Sequence, residues 1–196
     1  MLLLVALILG LLVGLASGGR LGTLASIRFH WPYFVLVVLV VKEAEALSPL
    51  NRVEGAQYVY AAALAALVAW SLWNLDRLPG VWLVTIGTVL NLIPVVANGG
   101  RMPVARALAA GGSHVLIERG SLGQYVLMGP NTNFNWLADW VAMPGPLRAL
   151  LPEAYSPGDL VVALGIALVA FLATRRRAEI KGASDQTASR ILSDPP

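Results

Sequence analysis

Cysteine is absent from the 196 residues of this chain, histidine occurs twice, and charged residues are scarce. Without cysteine the chain has no disulfide, no thiolate nucleophile and no lipidated cysteine. His30 and His114 are too few and too far apart in the sequence to predict a metal site, and nothing in the sequence implies a cofactor. Charged residues make up 13% of the chain, against roughly 25% in soluble domains. This scarcity argues against a soluble protein.

The composition instead favours a lipid environment. Hydrophobic residues make up 57% of the chain and the mean hydropathy is +0.70. The net charge of +3 and the pI near 9.6 do not predict nucleic-acid binding, because the basic residues are not interleaved with aromatic residues on a soluble surface. We therefore expect membrane lipid as a partner, with a membrane protein or a peptide as a further one, and no nucleic acid.

Five apolar runs predict the fold. The first run has no basic residue before it, which a signal peptide would have, so we expect it to be a membrane helix. The expected fold is an all-α, polytopic transmembrane helical bundle of about five spans, within an integral membrane domain of residues 1–175. A loop region precedes the last span. The spans are predicted near residues 2–17, 33–47, 56–73, 81–97 and 160–174, and the loop region is 98–159.

Arginine predicts the orientation of this bundle. Short cytoplasmic segments are enriched in lysine and arginine, and Arg175, Arg176 and Arg177 follow the last apolar run. We therefore expect a cytoplasmic tail over residues 176–196, which is disordered because its residues are charged and small. With five spans, the N-terminus and region 98–159 are then extracytoplasmic.

Region 98–159 contains the candidate chemistry. Pro103 is expected to begin a short helix, which continues to Ala110 and stops at Gly111-Gly112. Residues 115–117 and 125–128 are short apolar runs whose periodicity does not distinguish strands from re-entrant turns. An aromatic segment near Trp136 is suited to the membrane interface. The candidate binding residues are Asn98, Gly99, Gly100, Arg101 and Thr132.

The Asn98-Gly99-Gly100 segment has two interpretations. It predicts a helix C-terminal cap in which glycine takes a left-handed conformation. Alternatively, the glycines open the backbone beside the carboxylates, and the Asn98 amide holds a substrate carbonyl. Pro94 and Asn98 are in either case expected to distort or end the fourth apolar helix, because proline removes a backbone hydrogen-bond donor.

Asp139 and Asp159 are the candidate catalytic residues. Two carboxylates that are brought close cannot both ionise, so the pair can act as acid and base on a water that attacks an amide. The alternatives are structural. Asp159 directly precedes an apolar run and could cap its helix, and Asp139 could form an ion pair with Arg101, Arg106 or Arg148.

Two resemblances follow from these motifs. The segments Asn98-Gly99-Gly100-Arg101-Met102-Pro103, Leu137-Ala138-Asp139 and Ser156-Pro157-Gly158-Asp159 resemble those of an uncharacterised bacterial family of multi-pass membrane proteins, a domain of unknown function. Ala138 and Pro157 depart from the glycine and the aliphatic residue expected there. This resemblance implies no activity.

The second resemblance is more distant and concerns the order of segments. Asn98-Gly99-Gly100, Leu137-Ala138-Asp139-Trp140 and Gly158-Asp159 are similar in order to the catalytic segments of lipoprotein signal peptidases, which are membrane aspartyl proteases. The Gly-Asn-x-x-Asp-Arg segment of those enzymes is missing, and so is the Phe-Asn before their second aspartate. The resemblance implies a catalytic dyad of Asp139 and Asp159.

The sequence therefore leaves two functional hypotheses. The first is an integral membrane protein whose loop region binds a lipid, a small ligand or a partner without catalysis. The alternative is an intramembrane aspartyl peptidase-like hydrolase that uses Asp139 and Asp159.

Overall fold

Four long helices, two short helices and two short strands are found in the residues that the structure describes. The helices, in chain order, are α1 (Leu2–Ala16), α2 (Ala56–Trp73), α3 (Val81–Ala97), α4 (Ser113–Glu118), α5 (Leu147–Leu150) and α6 (Pro157–Ser193), and the strands are β1 (Met102–Val104) and β2 (Tyr125–Leu127). A 3-10 turn, Leu21–Ser26, follows α1. The computed structural model describes residues 1–26, 29–31, 33–34, 37, 55–77, 79–109, 113–118, 122–151 and 153–193.

Helix α6 lies at the centre and contacts both α1 and α3, while α2 packs on α3. Gly10 of α1 faces the backbone of Ala167, and Gly14 faces Phe171 and Thr174. Because positions increase together along both helices, α1 runs parallel to α6. A Cβ at Gly10 would collide with the Ala167 carbonyl, so only glycine permits this approach.

Small residues also allow α3 to approach α6. A Cβ built at Gly87 would lie 2.6 Å from both the Gly158 carbonyl oxygen and the Val162 backbone nitrogen. One at Gly165 would lie 2.7 Å from the Val84 backbone nitrogen. Positions that rise on one helix fall on the other, so α3 and α6 are antiparallel. Such small-residue contacts bring helix backbones together.

Helix α3 ends in a Schellman motif. The Gly100 amide donates to the Val95 carbonyl over 2.8 Å, and the Gly99 amide donates to the Val96 carbonyl over 3.3 Å. Both glycines have positive φ, 66° and 89°, which costs glycine little. The expectation that α3 ends near Asn98 in a glycine cap is confirmed.

The described residues between 98 and 156 lie over one end of the helices, and we call them the cap. Strand β1 pairs in parallel with β2, with Met102 opposite Tyr125. On its other side, β1 makes a parallel bridge between Val104 and Asp139. Met102 also packs with Tyr60, Leu64 and Val95, so β1 is anchored to α2 and α3. Strand pairing thus connects the parts of the cap with one another, and the apolar packing of Met102 joins the cap to the helices.

The all-α bundle of five transmembrane spans is wrong. Within the described residues one segment, Pro157–Arg175, is long and apolar enough to cross a membrane. Helices α1 and α3 have 15 and 17 residues, which is about 22 to 26 Å of helix, whereas the hydrocarbon core is about 30 Å thick. Their capping turns end them before that length is reached, and the β1–β2 pairing makes the chain not all-α.

The described residues do not test two other expectations, the second span and the disordered tail. The second span, 33–47, lies outside the described residues except for Tyr33, Phe34 and Val37. Helix α6 contains the expected span 160–174 but is helical through Ser193, and the disorder of residues 176–196 stays a prediction.

The helix expected from Pro103 to Ala110 is also wrong. Residues 102–104 form β1, and a 3-10 turn covers Arg106–Leu108. Proline is tolerated because the Asp139 bridge uses the Pro103 carbonyl and the Ala105 amide, so the missing Pro103 donor is not needed. Of the two undecided runs, residues 125–127 form β2 and residues 113–118 form α4, while Gly111-Gly112 lies outside the described residues.

Replacing Gly87 by alanine should destabilise the fold by about 1–3 kcal/mol, because the added methyl overlaps the α6 backbone. Gly22→Ala is the matched control, since nothing lies within 4 Å of a Cβ built there. The measurement is the thermal unfolding midpoint of the two variants in detergent. Alanine stabilises an exposed helix position relative to glycine, so a raised midpoint for Gly87→Ala would refute the close α3–α6 contact.

Candidate functional site

Helix α6 begins with a capping box, which lies where the segment called the cap ends. The Ser156 hydroxyl accepts a hydrogen bond of 2.8 Å from the Asp159 amide, and an Asp159 carboxylate oxygen accepts one of 3.1 Å from the Ser156 amide. Pro157 occupies the first helical position, where its fixed φ suits the helix and no amide is needed. Asp159 therefore caps α6 from its first turn, as the partner of an N-cap serine.

Asn91 of α3 completes this arrangement. Its amide nitrogen donates to the other Asp159 oxygen over 2.7 Å, and its amide oxygen accepts from the Ser156 hydroxyl over 2.6 Å. Asn91 is 7% exposed and Ser156 is fully buried. We call these three residues the junction network. One oxygen of the Asp159 carboxylate thus joins α6 to α3, and the other caps the start of α6 through the Ser156 amide.

Asp139 is held by its backbone beside β1. Its amide donates to the Pro103 carbonyl over 3.0 Å, and its carbonyl accepts from the Ala105 amide over 2.9 Å. The residue is 8% exposed. Arg106, one of its expected ion-pair partners, instead pairs with Glu118 at 2.9 Å.

Tyr125 lies close enough to both candidate aspartates for their charges to affect its pKa. Its pKa is raised above the ordinary tyrosine value, first by burial and then by the negative charges of Asp139, Asp159 and Glu153. A nearby negative charge opposes formation of a phenolate. A hydrogen bond from the Gln124 side chain acts in the opposite direction. Both candidate carboxylates therefore lie within electrostatic reach of one partly buried phenol at the cap–helix boundary.

A second tyrosine lies at the same boundary. The Tyr155 hydroxyl donates to a Glu153 carboxylate oxygen over 3.1 Å, and Tyr155 pairs in an antiparallel bridge with Val141. Burial, and then the charge and hydrogen bond of Glu153, raise the pKa of Tyr155 to about 12. Both phenols are thus kept neutral at ordinary pH.

Two of the candidate binding residues, Asn98 and Thr132, form hydrogen bonds that stabilise a loop of the cap. The Asn98 side chain donates to the Asn133 carbonyl over 2.9 Å and accepts from the Asn133 amide over 2.8 Å. The Thr132 hydroxyl accepts from the Gly129 amide over 3.0 Å and lies 2.8 Å from the Asn135 side-chain oxygen. Arg101 is exposed. Asn98 therefore pins the segment 129–135 to the end of α3, and Thr132 stabilises the turn within that segment.

An aromatic surface follows that pinned segment. Phe134, Trp136 and Trp140 are 46%, 66% and 49% exposed, whereas Leu137 between them is buried. The Trp140 indole donates to the Trp136 carbonyl over 2.9 Å. We call Phe134, Trp136 and Trp140 the aromatic patch. Its backbone is fixed on both sides, by the Asn98–Asn133 pair and by the Asp139 bridge.

Sequence reasoning left some residues of this region out of the candidate site. Asn91, Ser156 and Tyr125 were not assigned a role. The Ser-x-x-Asp pattern before an apolar run is a capping-box signal that identifies Ser156. No such local signal exists for Tyr125.

The catalytic and binding roles of the candidate residues stay predictions. Across the described ranges, no group of three or more histidine, aspartate or glutamate side chains could hold a metal ion.

Alkaline pH should destabilise the fold through Tyr155. Its pKa rises from 10.0 in the unfolded chain to about 12 in the fold, so its contribution to stability is complete below pH 10. Between these values the unfolded chain loses its proton first, which favours unfolding. The thermal midpoint should fall over this window, and less steeply in Tyr155→Phe. Equal slopes for the variant and the wild type would contradict the assignment.

Comparison with known proteins places the chain in a family without assigning it a role. No curated protein and no solved structure matches the chain. A family model matches residues 26–171, which include α2, α3, the cap and both aspartates. That match covers more than half of the chain and confirms the expected membership of an uncharacterised family: the chain belongs to the family of unknown function DUF5317.

Proposed function

We propose that this protein is a non-catalytic membrane protein in which α6 crosses a bilayer and the aromatic patch of the cap binds lipid at the membrane surface. The observation that carries the proposal is the exposure of Phe134, Trp136 and Trp140 on a backbone held rigid by hydrogen bonds. Tryptophan prefers the membrane interface because its ring is apolar and its N–H is polar.

The sides of the helices support a lipid environment. In the segment Pro157–Arg175, 33% of the residues are buried, whereas the core helix of a soluble protein is mostly covered. Large aliphatic side chains are exposed along the packed helices, among them Leu4, Ile8 and Leu12 of α1 and Ile86 and Ile93 of α3. Contiguous exposed apolar surface of this kind indicates contact with a membrane or a partner.

The two ends of the helices support an orientation. The Arg20 amide donates to the Thr174 carbonyl over 2.9 Å, so Arg20 lies beside Arg175, where the apolar segment Pro157–Arg175 of α6 ends on the side remote from the cap. Arginine marks the cytoplasmic side. In this proposal the C-terminal end of α6 is cytoplasmic and the cap is extracytoplasmic.

The junction network favours binding over catalysis. Both Asp159 oxygens accept structural hydrogen bonds, from Asn91 and from Ser156. A dyad carboxylate needs an oxygen for a shared proton or for the attacking water. If Asp159 turned to such a partner, the capping box and the contact with α3 would both be weakened.

The intramembrane peptidase hypothesis is the second candidate. One observation favours it: the negative charges of Asp139 and Asp159 both raise the pKa of Tyr125, so both carboxylates are near the same phenol. This candidate requires a peptide-hydrolysing activity. Asp139→Asn and Asp159→Asn would each abolish that activity while leaving abundance in the membrane unchanged, since asparagine nearly matches aspartate in volume.

Tryptophan quenching tests the binding proposal. Variants that keep only Trp136 or only Trp140, with the other tryptophans replaced by phenylalanine, would be placed in phosphatidylcholine vesicles. Brominated phosphatidylcholine, with bromine near the headgroup end of the acyl chains, should quench both strongly, and aqueous iodide should quench both weakly. A variant that keeps only Trp70 is the control, because its indole is hydrogen-bonded to the His30 carbonyl at 2.8 Å and is partly buried.

The opposite pattern would overturn the proposal. Strong iodide quenching of Trp136 and Trp140, with no effect of brominated lipid, would place the aromatic patch in water. Protection from both quenchers would mean that a protein partner or a second copy covers the patch instead of lipid.

A further inference from the structure

Two arginines from distant parts of the chain meet at the end of the helices remote from the cap. The backbone hydrogen bond from Arg20 to Thr174 brings Arg20 beside Arg175. Nearby, the Thr23 hydroxyl lies 2.7 Å from the Ala173 carbonyl, and this second contact fixes the turn after α1 against α6. The two guanidinium groups therefore leave the fold from adjoining, anchored backbone positions.

Neither of these arginines is neutralised within the described part of the chain. The ion pairs found there involve Arg77 with Asp76, Arg106 with Glu118, and the N-terminal amine with Glu153. Both Arg20 and Arg175 are exposed. The Arg175 guanidinium lies 5.2 Å from the centre of the Phe171 ring, which orients it without removing its charge.

Exposed tryptophans lie at this same end. Trp73 ends α2, and the Trp31 ring lies 6.2 Å from it. Trp82 lies in the first turn of α3, directly after Val81. Val81 packs against Ala173 of α6. All three tryptophans are exposed. This combination of interfacial aromatic rings with cationic side chains is typical of the headgroup level on the cytoplasmic side.

We propose that Arg20 and Arg175 form a binding site for the phosphate of an anionic phospholipid headgroup. A guanidinium donates two parallel hydrogen bonds to phosphate oxygens, and two guanidiniums carried on adjoining, anchored backbone positions offer a site that a zwitterionic headgroup fills less favourably. Arg176 and Arg177, which follow in the sequence, add positive charge. The charge of these residues complements the anionic cytoplasmic leaflet. This inference rests on the membrane placement of α6 proposed above.

A lipid titration tests the site. Wild-type protein in phosphatidylcholine mixed micelles would be titrated with phosphatidylglycerol of the same acyl chains, and the rise of the thermal midpoint would give an apparent affinity. In Arg20→Gln/Arg175→Gln this affinity should fall about 30-fold, from the usual contribution of each basic residue near an anionic surface. Inorganic phosphate should not raise the midpoint, and equal stabilisation by it would overturn the assignment to a lipid.

Arg106→Gln/Arg148→Gln is the matched control, because these exposed arginines belong to the cap. It should keep the wild-type affinity, and an equal loss in this variant would overturn the site by showing that only total charge matters. Unchanged affinity in Arg20→Gln/Arg175→Gln would also overturn it. If the double variant does not fold, the single variants decide, each with about fivefold weaker binding expected, and unchanged affinity in both refutes the site.

The outcome is separable from that of the proposed function. If Trp136 and Trp140 are quenched by brominated lipid but phosphatidylglycerol shows no preference, the membrane placement stands and the arginine site fails. If the cap tryptophans are open to iodide while phosphatidylglycerol still binds through Arg20 and Arg175, the cap proposal alone fails.

Discussion

The hydrogen bonds among Asn91, Ser156 and Asp159 determine where α6 begins and how closely it approaches α3. Each polar group in this buried network satisfies another: the asparagine amide serves the carboxylate and the serine, and the serine serves the first turn of α6. A buried polar group without a partner destabilises the fold by about 1–3 kcal/mol. Removal of one side chain from the network would leave polar groups of the other two without a partner. A Cβ at Gly158 would collide with the Asn91 side chain, so the network also requires a glycine there.

The cap depends on this junction through a continuous series of backbone pairings. Strand β2 pairs with β1, β1 pairs with Asp139, and two residues later Val141 pairs with Tyr155, which directly precedes Ser156. These pairings connect the described residues between α3 and α6 into one structure. One consequence is that the aromatic patch has a fixed position. The two ends of the helices also differ chemically, with carboxylates and phenols under the cap and arginines at the remote end.

The sequence was informative about helices and much less so about the cap. Runs 56–73 and 81–97 coincide with α2 and α3, because glycine-containing turns begin and end them. Counting these runs as membrane spans was wrong, since an apolar run fixes a helix but not a crossing. The strands have three residues each, too few for periodicity, and their parallel pairing is long-range. Asp159 was recognised as a possible cap, but its bond to Asn91 depends on the contact between α3 and α6.

The central claim is that Asp159 holds α3, α6 and the cap together, and a double-mutant cycle with Asn91 tests it most directly. The free energy of unfolding would be measured in detergent for the wild type, Asn91→Ala, Asp159→Ala and the double variant. The hydrogen bond between the two side chains predicts a coupling of about 1 kcal/mol or more, because each single variant already removes it. Effects that add to within about 0.3–0.5 kcal/mol would contradict the claim, and would leave Asp159 free for a role outside the junction network.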